Sequence, residues 1–254
     1  IRDSMKRAYA DRSRWLGDPD HYAVPLEGLI GKAYADVQRK GIRSDRATPA
    51  APGTPPGAPE SDDTTHFSVV DAAGNAVACT TTINSTFGSG LVVEGAGFLL
   101  NNEMDDFSAK PGVPNQFGLV GGAANAVGPG KRPLSSMTPT IVVVDGRVRL
   151  VLGSPGGGRI INTVLQVVVN ALDHGMPIEV AVGAPRIHHQ WLPDVVHWER
   201  NALAPDVRSV LQGMGHVLAD QLLGIGRCQA IAIAPDGART AVADPRSGGT
   251  AAAY

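Results

Sequence analysis

Two threonines and an asparagine stand where the sequence pattern could bring their side chains together. Residues 65–70 and 76–83 are strand-like runs on either side of a five-residue loop, which predicts a β-hairpin. Thr64 would then face Thr82, and Asn84 would project from the same face, because side chains alternate along a strand. A bulge at the glycine of the loop would change this register. The pattern therefore predicts two hydroxyls and one amide on a single patch, although threonines in strands usually serve only as β-formers.

Three other segments carry groups that could bind ligands. The run Asn102–Asp106 is rich in acids, and its ordinary interpretation is a solvated acidic loop. The glycine run Gly153–Gly158 precedes an apolar helix and could present backbone N–H groups to an anion. A phosphate-binding loop is a competing interpretation, but the run lacks the Lys-Ser/Thr ending. His188 and His189 have no Cys or acidic partner at ligand spacing, which favours a structural pair over a metal site.

The elements that must position these residues fall into three regions. Residues 1–41 predict two helices separated at positions 17–20, the second running from Pro25 to Lys40 with a stripe that we expect to pack in the core. Residues 42–63 are rich in Pro, Ala and Gly and predict a flexible linker. The stripe consists of Leu26, Leu29, Ile30, Tyr34 and Val37.

From Thr64 onward the pattern changes to short strands, glycine turns and helices. Two further hairpins are predicted, at 140–152 with the turn Asp145-Gly146 and at 230–243. Helices are predicted at 159–172, closed by Gly175, and at 206–214. Strand pairs that alternate with apolar helices indicate an α+β layered sandwich.

Composition narrows the class of protein. The chain of 254 residues is 43% hydrophobic and 18% charged, which is typical of a globular protein. Its formal net charge of -2 argues against a nucleic-acid partner, and no apolar run is long enough for a membrane span. Cys79 and Cys228 could form one disulfide, but two separate thiols are the more ordinary expectation. Because the chain starts at Ile1 inside a helical pattern, we expect it to be a fragment.

Several separated stretches resemble the γ-glutamyltranspeptidase (glutathione hydrolase) family over essentially the whole length. They are Thr64–Asp71, LLNNEMDDFSAKPGVPNQFGLVGGAANAVGPGKRPLSSMTPTIV, GSPGGGRI, APRIHHQWLPD and the terminal DPRSGGTAAAY. The resemblance implies a four-layer αββα sandwich of the N-terminal-nucleophile hydrolase type. It also implies that residues 1–41 are the helical C-terminal part of a large subunit, that 42–63 are the linker, and that 64–254 are the small catalytic subunit.

The resemblance further implies that an inactive precursor cleaves itself between Asp63 and Thr64. A threonine hydroxyl needs a base, and the α-amino group freed by this cut has a reference pKa of about 7.7–8.0, so it can accept the proton. Thr82 matches the family's second threonine, which orients the nucleophile. Gly156 and Gly157 match the oxyanion hole, whose N–H groups stabilise the tetrahedral intermediate.

Substrate contacts are carried over in the same way. The positions that match the family's contacts to the α-amino end of a γ-glutamyl group are Asn84, Glu103 and Asp106, and those for the α-carboxylate end are Ser135 and Ser136. Two acids that face an ammonium make chemical sense, because charge-assisted hydrogen bonds are strong. The segment 110–125 resembles the lid of the family, in which Phe117 replaces a tyrosine that bonds to the asparagine at position 84. This replacement predicts looser gating.

The resemblance implies glutathione or another γ-glutamyl compound as donor, with an amino acid, a peptide or water as acceptor. It implies no cofactor and no metal, and it favours a periplasmic or secreted location. A large subunit would contribute strands and an arginine clamp from a missing N-terminal part, so we expect this chain alone to be poorly active or misfolded. Two alternatives stay open: a glutaryl-cephalosporin acylase of the same family, and a truncated, non-catalytic member.

Overall fold

The computed structural model describes residues 1–50, 64–222 and 224–253. The predicted linker lies outside the described residues from position 51 onward, and so does Asp63, which precedes the predicted cleavage point. The elements in chain order are α1 (Arg2–Trp15), α2 (Leu26–Ile30), α3 (Lys32–Lys40), β1 (Thr64–Val70), β2 (Ala76–Thr82), β3 (Thr140–Val144), β4 (Arg147–Gly153), α4 (Ile160–Leu172), α5 (Ile178–Gly183), β5 (Ile187–His188), β6 (Val196–Trp198), α6 (Pro205–Gly213), β7 (Leu218–Leu222), β8 (Gln229–Ile233) and β9 (Arg239–Ala243).

The chain divides into two compact units that interleave along the sequence. The first contains the described residues of 1–50, 103–135 and 187–222, and the second those of 64–102, 136–186 and 224–253. The sequence predicted a subunit boundary at Thr64, which is a cleavage of the backbone. The two compact units do not test this boundary, so it stays a prediction.

In the first unit, the prediction of a single helix from Pro25 to Lys40 is wrong. It is two helices interrupted at Gly31, whose ψ of 136° is extended. Glycine has a low helix propensity, which explains why the break falls there. The stripe predicted to pack in the core is also not buried, since neither α2 nor α3 contains a buried residue and Leu26 and Ile30 are exposed.

The rest of the first unit contains a small sheet in the order β5-β6-β7 and helix α6. Helix α6 confirms the helix predicted at 206–214 to within one residue at each end. The three strands were missed because each has five residues or fewer and carries no alternating pattern. Helix α1 packs on β5, where the Tyr9 ring meets the His188 ring edge-on with centroids 6.0 Å apart.

The second unit is built from two sheets and two helices. The hairpin β1–β2 packs on the antiparallel sheet β3-β4-β8-β9, and helices α4 and α5 also pack against this four-stranded sheet. Leu150, Leu152, Ile160 and Val167 form the core between the sheet and the helices. Since side chains alternate along β4, the fully buried Val151 faces the hairpin. This arrangement confirms an α+β fold with layered sheets.

All three predicted hairpins are confirmed. The turn at 145–146 has positive φ at both residues, 51° at Asp145 and 74° at Gly146, as a two-residue turn of type I′ requires. The second hairpin also has a register shift between Val142 and Val143, which the pattern did not indicate.

Candidate active site

The predicted pairing of Thr64 with Thr82 is confirmed. The two residues are direct partners in the antiparallel register of β1 and β2. The Thr64 hydroxyl donates to the Thr82 hydroxyl at 3.2 Å, which is long for a hydrogen bond between oxygens. The backbone N–H of Asn84 also donates to Thr82 Oγ1, at 2.9 Å. Thr82 is therefore held in place by the backbone that follows it and lies against the Thr64 hydroxyl.

Asn84 lies near this pair for a different reason from the one predicted. Strand β2 ends at Thr82 and Asn84 has a φ of 77°, so strand alternation does not apply to it. Asparagine tolerates this left-handed conformation better than most residues. The Asn84 side chain is buried and donates through Nδ2 to the carbonyl of Asn102 at 3.2 Å. The Asn102 side chain is fixed in turn by two hydrogen bonds to Ser85, each 3.0 Å long.

A buried histidine that sequence reasoning left without a role lies beside the threonine pair. His66 Nδ1 is 2.7 Å from Thr80 Oγ1, and its Nε2 is 3.1 Å from Ser68 Oγ. Burial lowers the pKa of His66 to about 4, so the ring is neutral at neutral pH. His66 is two residues after Thr64 on β1 and faces Thr80 across the hairpin, so alternation could have placed it on the same face.

The His66 ring also packs tightly against the strand that leads into the glycine run. A Cβ placed on Gly153 would lie 2.3 Å from the ring, closer than any real side chain could approach. Gly153 is the last residue of β4 and the first residue of the glycine run. His66 therefore links the hairpin β1–β2 to the start of this run.

The glycine run turns the chain from β4 into helix α4. Gly156 and Gly157 have φ of 135° and 50°, and a 3-10 turn over Gly157–Arg159 leads directly into α4. The first N–H groups of a helix have no acceptor inside the helix, so this turn directs N–H groups outward at the positive end of the helix dipole. Such an arrangement can bind an oxyanion.

The loop at residues 224–227 holds the glycine run in place. The buried Ser154 hydroxyl accepts a hydrogen bond from the Arg227 N–H at 2.8 Å, and Arg159 Nη1 donates to the Gly224 carbonyl at 2.9 Å. A Cβ on Gly156 would lie 3.2 Å from Gly226 Cα, so the two backbones are in close contact.

A buried ion pair supports this loop from the other side. Arg186 and Asp244 are joined at 2.8 Å, and both side chains are almost completely inaccessible to solvent. Arg186 also donates to the Ile225 carbonyl at 2.7 Å, and Asp244 Oδ2 accepts from the Cys228 N–H at 2.8 Å. The pair therefore joins the end of α5, the 224–227 loop and the C-terminal segment.

The acidic residues lie in the first unit, on a 3-10 turn over Glu103–Asp106. Burial, followed by the charge of Glu103, raises the pKa of Asp106 to about 7, although the Arg12 guanidinium acts in the opposite direction. Burial also raises the pKa of Glu103. Two half-buried acids whose pKa values are raised by burial are a favourable site for a cation, because a neighbouring ammonium would stabilise their ionised forms.

The remaining predicted site residues are placed as follows. Ser135 is exposed and ends a segment of the first unit, whereas Ser136 is buried and begins a segment of the second. Phe117 is buried, and its carbonyl accepts a hydrogen bond from Gln190 Nε2 at 3.2 Å. The Asn115 side chain orders the same loop by accepting from the N–H groups of Phe117 and Leu119, both at 3.0 Å. The roles of these residues stay predictions.

A cavity of about 370 Å³ opens beside Thr64 and was not found from the sequence. We call it the Thr64 cavity. It is lined by residues 64–68 of β1, by parts of β8 and β9, by Pro155 and Arg227, and by residues of the C-terminal segment 247–252.

The histidines 188 and 189 have protein partners. His188 Nε2 is 2.9 Å from Gln190 Oε1, and His189 Nε2 is 3.0 Å from Asp194 Oδ1. In the part of the chain that the structure describes, no cluster of three or more His, Cys, Asp or Glu side chains could hold a metal ion.

Within the described residues, no helix is both long and apolar enough to span a bilayer. Cys79 and Cys228 are separate thiols, and burial raises the pKa of Cys228 to about 12.

Comparisons with known proteins agree on one family. A family model described as gamma-glutamyltranspeptidase matches residues 1–254. The glutathione hydrolase proenzyme of Escherichia coli is 55% identical over 247 residues, which are 96% of this chain and 42% of that protein. The glutathione hydrolase proenzyme of Pseudomonas aeruginosa is 50% identical over 249 residues, 96% of this chain and 44% of that protein. The chain thus spans less than half the length of these relatives.

Solved structures give the same result. A gamma-glutamyltranspeptidase from Pseudomonas nitroreducens, complexed with L-DON, superposes with a TM-score of 0.71 and 53% identity, covering 75% of this chain and 99% of that chain. A cephalosporin acylase from Bacillus halodurans superposes with a TM-score of 0.83 and 28% identity, covering 100% of this chain and 44% of that chain.

Proposed function

Because this chain belongs to the γ-glutamyltranspeptidase family, we propose that it carries the nucleophile of an enzyme that cleaves γ-glutamyl amides such as glutathione. The observation that carries the proposal is the Thr64 hydroxyl, which lies 3.2 Å from the Thr82 hydroxyl at the first residue of β1. A nucleophile at a strand terminus can gain a free α-amino group when the bond before it is cut. No cofactor is needed for this chemistry.

In the proposed reaction, the precursor first cleaves itself between Asp63 and Thr64. The new α-amino group takes the proton from Thr64 Oγ1 as this oxygen attacks the γ-carbonyl carbon of the donor. The resulting negative oxygen is stabilised by the N–H groups of Gly156 and Gly157. The amine then gives its proton to the leaving nitrogen, the C–N bond breaks, and a γ-glutamyl ester of Thr64 remains. Water or an amine attacks this ester and regenerates the hydroxyl.

We assign the recognition of the γ-glutamyl group to the predicted polar residues. Glu103 and Asp106, together with the Asn84 amide, would bind the α-ammonium, and the raised pKa of the two acids supports this role because an ammonium would favour their ionised forms. Ser135 and Ser136 would bind the α-carboxylate through their hydroxyls. The segment 110–125 would act as a lid, in which Phe117 has no hydroxyl to bond to Asn84.

The complete enzyme would contain a four-layer αββα sandwich. The second unit supplies two sheets and the helices α4 and α5, so a further helical layer would come from the remainder of the large subunit. The same remainder, which the longer relatives contain, would supply the arginine that clamps the substrate carboxylate. A periplasmic or secreted location is part of this proposal and rests on family resemblance alone.

A glutaryl-cephalosporin acylase is the second candidate, supported by the superposition on the Bacillus halodurans enzyme and by an acylase from Pseudomonas sp. (strain SE83) that is 38% identical over 250 residues. A glutaryl group lacks the α-ammonium, so the half-buried acids Glu103 and Asp106 favour a γ-glutamyl donor instead. Turnover of glutathione and of glutaryl-cephalosporin by the same preparation separates the two candidates.

The deciding experiment is mass spectrometry of the protein during prolonged incubation, combined with a γ-glutamyl-p-nitroanilide assay. We expect two fragments split before Thr64 and release of p-nitroaniline, with both lost in Thr64→Ala. A chain that stays intact indicates a non-catalytic family member. A Thr64→Ala variant that processes itself and turns over substrate like the parent refutes the mechanism.

A further inference from the structure

We propose that Gln190 is a positioning residue of the reaction, whose buried amide holds the tip of the segment 110–125 in place. The tip is the turn at residues 115–119. This inference rests on the proposed function, in which the segment is the lid of the γ-glutamyl site. Gln190 acts through the lid and not through contact with the substrate.

The segment needs support from outside, because it is a small hairpin. The Gly112 N–H donates to the Gly121 carbonyl at 2.9 Å, and the Asn115 N–H donates to the Leu119 carbonyl at 3.0 Å. These are hydrogen bonds within the segment. An isolated two-stranded hairpin is at best marginally stable in water. The position of the tip therefore depends on the residues that contact it.

Gln190 contacts the tip at its backbone. Gln190 Nε2 donates to the Phe117 carbonyl at 3.2 Å and to the Leu192 carbonyl at 3.4 Å. Gln190 and Phe117 are only 7% and 4% exposed, so water competes little for the bond between them. Because the acceptor is a backbone carbonyl, this contact does not depend on a hydroxyl group at position 117.

His188 fixes the orientation of the Gln190 amide. Because the amide nitrogen faces two carbonyls, the amide oxygen faces His188 Nε2, at 2.9 Å. An amide oxygen only accepts hydrogen bonds, so the proton of this bond belongs to Nε2. The buried His188 ring meets the buried Tyr9 ring of α1 edge-on. One of the two adjacent histidines thereby supports the lid through Gln190.

The tip is closely packed and is joined to the acidic turn. Gly118 has a φ of 69°, and a Cβ there would lie 3.0 Å from Gln190 Nε2, so a side chain would be strained and would press on the amide. The Gln116 N–H donates to Asp105 Oδ2 at 3.0 Å. Asp105 belongs to the turn Glu103–Asp106, to which we assign the α-ammonium of the donor. Displacement of the tip would therefore disturb this turn and weaken donor binding.

The test compares Gln190→Met with the parent by hydrogen exchange and mass spectrometry. Methionine has a similar length and cannot donate a hydrogen bond. We expect the amides of residues 112–121 to exchange about 5- to 30-fold faster, the factor for the loss of one or two hydrogen bonds. The amides of α1, in the same unit, should keep the parental rate. Gln212→Met is the matched control, because Gln212 is an exposed residue of α6 in this unit, and it should leave both regions unchanged.

Two further variants test the contacts of the amide separately. Gln190→Glu keeps an acceptor for His188 and loses the donors to the lid, so it should also speed exchange at 112–121. His188→Phe keeps a ring against Tyr9 and removes the N–H donor to Gln190, so its effect should be smaller. In the double variant His188→Phe/Gln190→Met, exchange should match Gln190→Met alone, because His188 acts through the amide. Effects that multiply would contradict this role of His188.

The kinetics of the processed protein with γ-glutamyl-p-nitroanilide test the link to the reaction. We expect Gln190→Met to raise the donor KM by about 5- to 30-fold and to keep kcat within about threefold of the parent, because a displaced lid lowers the fraction of protein that binds donor. Gln212→Met should have the parental constants. The inference is overturned if exchange at 112–121 is unchanged, if α1 exchanges faster by the same factor, or if faster exchange leaves KM at the parental value.

The exchange measurement separates this inference from the proposed function. It needs neither a cut before Thr64 nor a donor, so a protein without γ-glutamyl hydrolysis still shows whether Gln190 holds the segment. Normal hydrolysis combined with unchanged exchange in Gln190→Met would contradict the inference and leave the proposed function intact.

Discussion

At the scale of single residues, the geometry around Thr64 depends on one oxygen atom. Thr82 Oγ1 accepts hydrogen bonds from the Thr64 hydroxyl and from the Asn84 N–H, so it fixes the Thr64 hydroxyl relative to the backbone that follows β2. We expect Thr82→Val, which keeps the shape and removes this oxygen, to lower kcat by about 10- to 100-fold with a smaller effect on KM. Steady-state kinetics with γ-glutamyl-p-nitroanilide measures both constants.

The control for this substitution is Thr81→Val on the same strand. Thr81 is exposed and points to the opposite face of the hairpin, so its replacement should leave kcat within about twofold of the parent. Equal loss in the two variants would show that Thr82 acts only through the stability of the hairpin.

His66 gives a prediction about stability and pH. Its pKa in the folded protein is about 4, below the ordinary value of 6.5, so the unfolded chain binds the proton more readily. Its contribution therefore makes the protein less stable as the pH falls from 6.5 to 4, by about 3 kcal/mol in total. His66→Gln, which can hydrogen-bond but does not titrate, should flatten the pH dependence of the free energy of unfolding in this window. Urea titrations at several pH values, with His174→Gln as an exposed control, measure the difference. Parallel pH profiles for the parent and His66→Gln would contradict the prediction.

The sequence predicted some of these residues and missed others for identifiable reasons. The pairing of Thr64 with Thr82 follows from loop length and strand alternation, which are local properties. The position of Asn84 could not be derived in this way, because it depends on where β2 ends and on a left-handed residue. The contact of His66 with Gly153 and the formation of the Thr64 cavity depend on segments that are distant in sequence, such as β4 and the C-terminal segment.

At the scale of elements, the glycine run is a tightly packed backbone turn rather than a flexible linker. Gly156 combines a φ of 135° with close contact to Gly226, so an alanine there meets both backbone strain and a neighbouring backbone. We expect Gly156→Ala to lower kcat by about 10²- to 10³-fold, the typical effect of losing one oxyanion donor. The free energy of unfolding should also fall by about 1–3 kcal/mol.

Gly237→Ala separates strain from catalysis. Gly237 has a φ of 90°, and nothing lies within 4 Å of the added Cβ, so this substitution introduces backbone strain in an open turn. It should reduce stability by a similar amount and leave kcat unchanged. A Gly156→Ala enzyme with parental kcat would exclude this loop from the reaction.

The elements that the sequence predicted best are those with strong local signals. The hairpin at 140–152 has the Asp-Gly turn, and α4 is strongly apolar and ends before Gly175. The single helix predicted from Pro25 to Lys40 was wrong because a long apolar stripe outweighed the weak signal of one glycine at position 31. Strands β5 to β7 are short and defined by tertiary packing, so the sequence offered no periodic pattern to detect.

At the scale of the whole molecule, the predicted cleavage before Thr64 would divide the first compact unit between two chains. The first unit combines residues that precede Thr64 with residues that follow it. Arg132 forms an ion pair with Asp18 at 2.6 Å and donates two further hydrogen bonds to it. Lys6 forms an ion pair with Asp194. Backbone hydrogen bonds join Gly122 to Ser13 at 2.8 Å and Ala47 to Met214 at 2.7 Å. A cut before Thr64 would therefore leave the first unit composed of two separate chains.

This arrangement predicts that the two products of processing stay together. The fragments should elute as one species in size-exclusion chromatography without denaturant and separate only in urea. Asp18→Asn removes a buried charge that Arg132 contacts through three hydrogen bonds, so it should lower the urea concentration at which the processed fragments separate. Asp36→Asn is the matched control, because its ion pair with Arg39 is exposed and lies within one helix of the same fragment. Fragments that separate in native buffer, or an Asp18→Asn midpoint equal to that of Asp36→Asn, would show that these contacts do not hold the processed protein together.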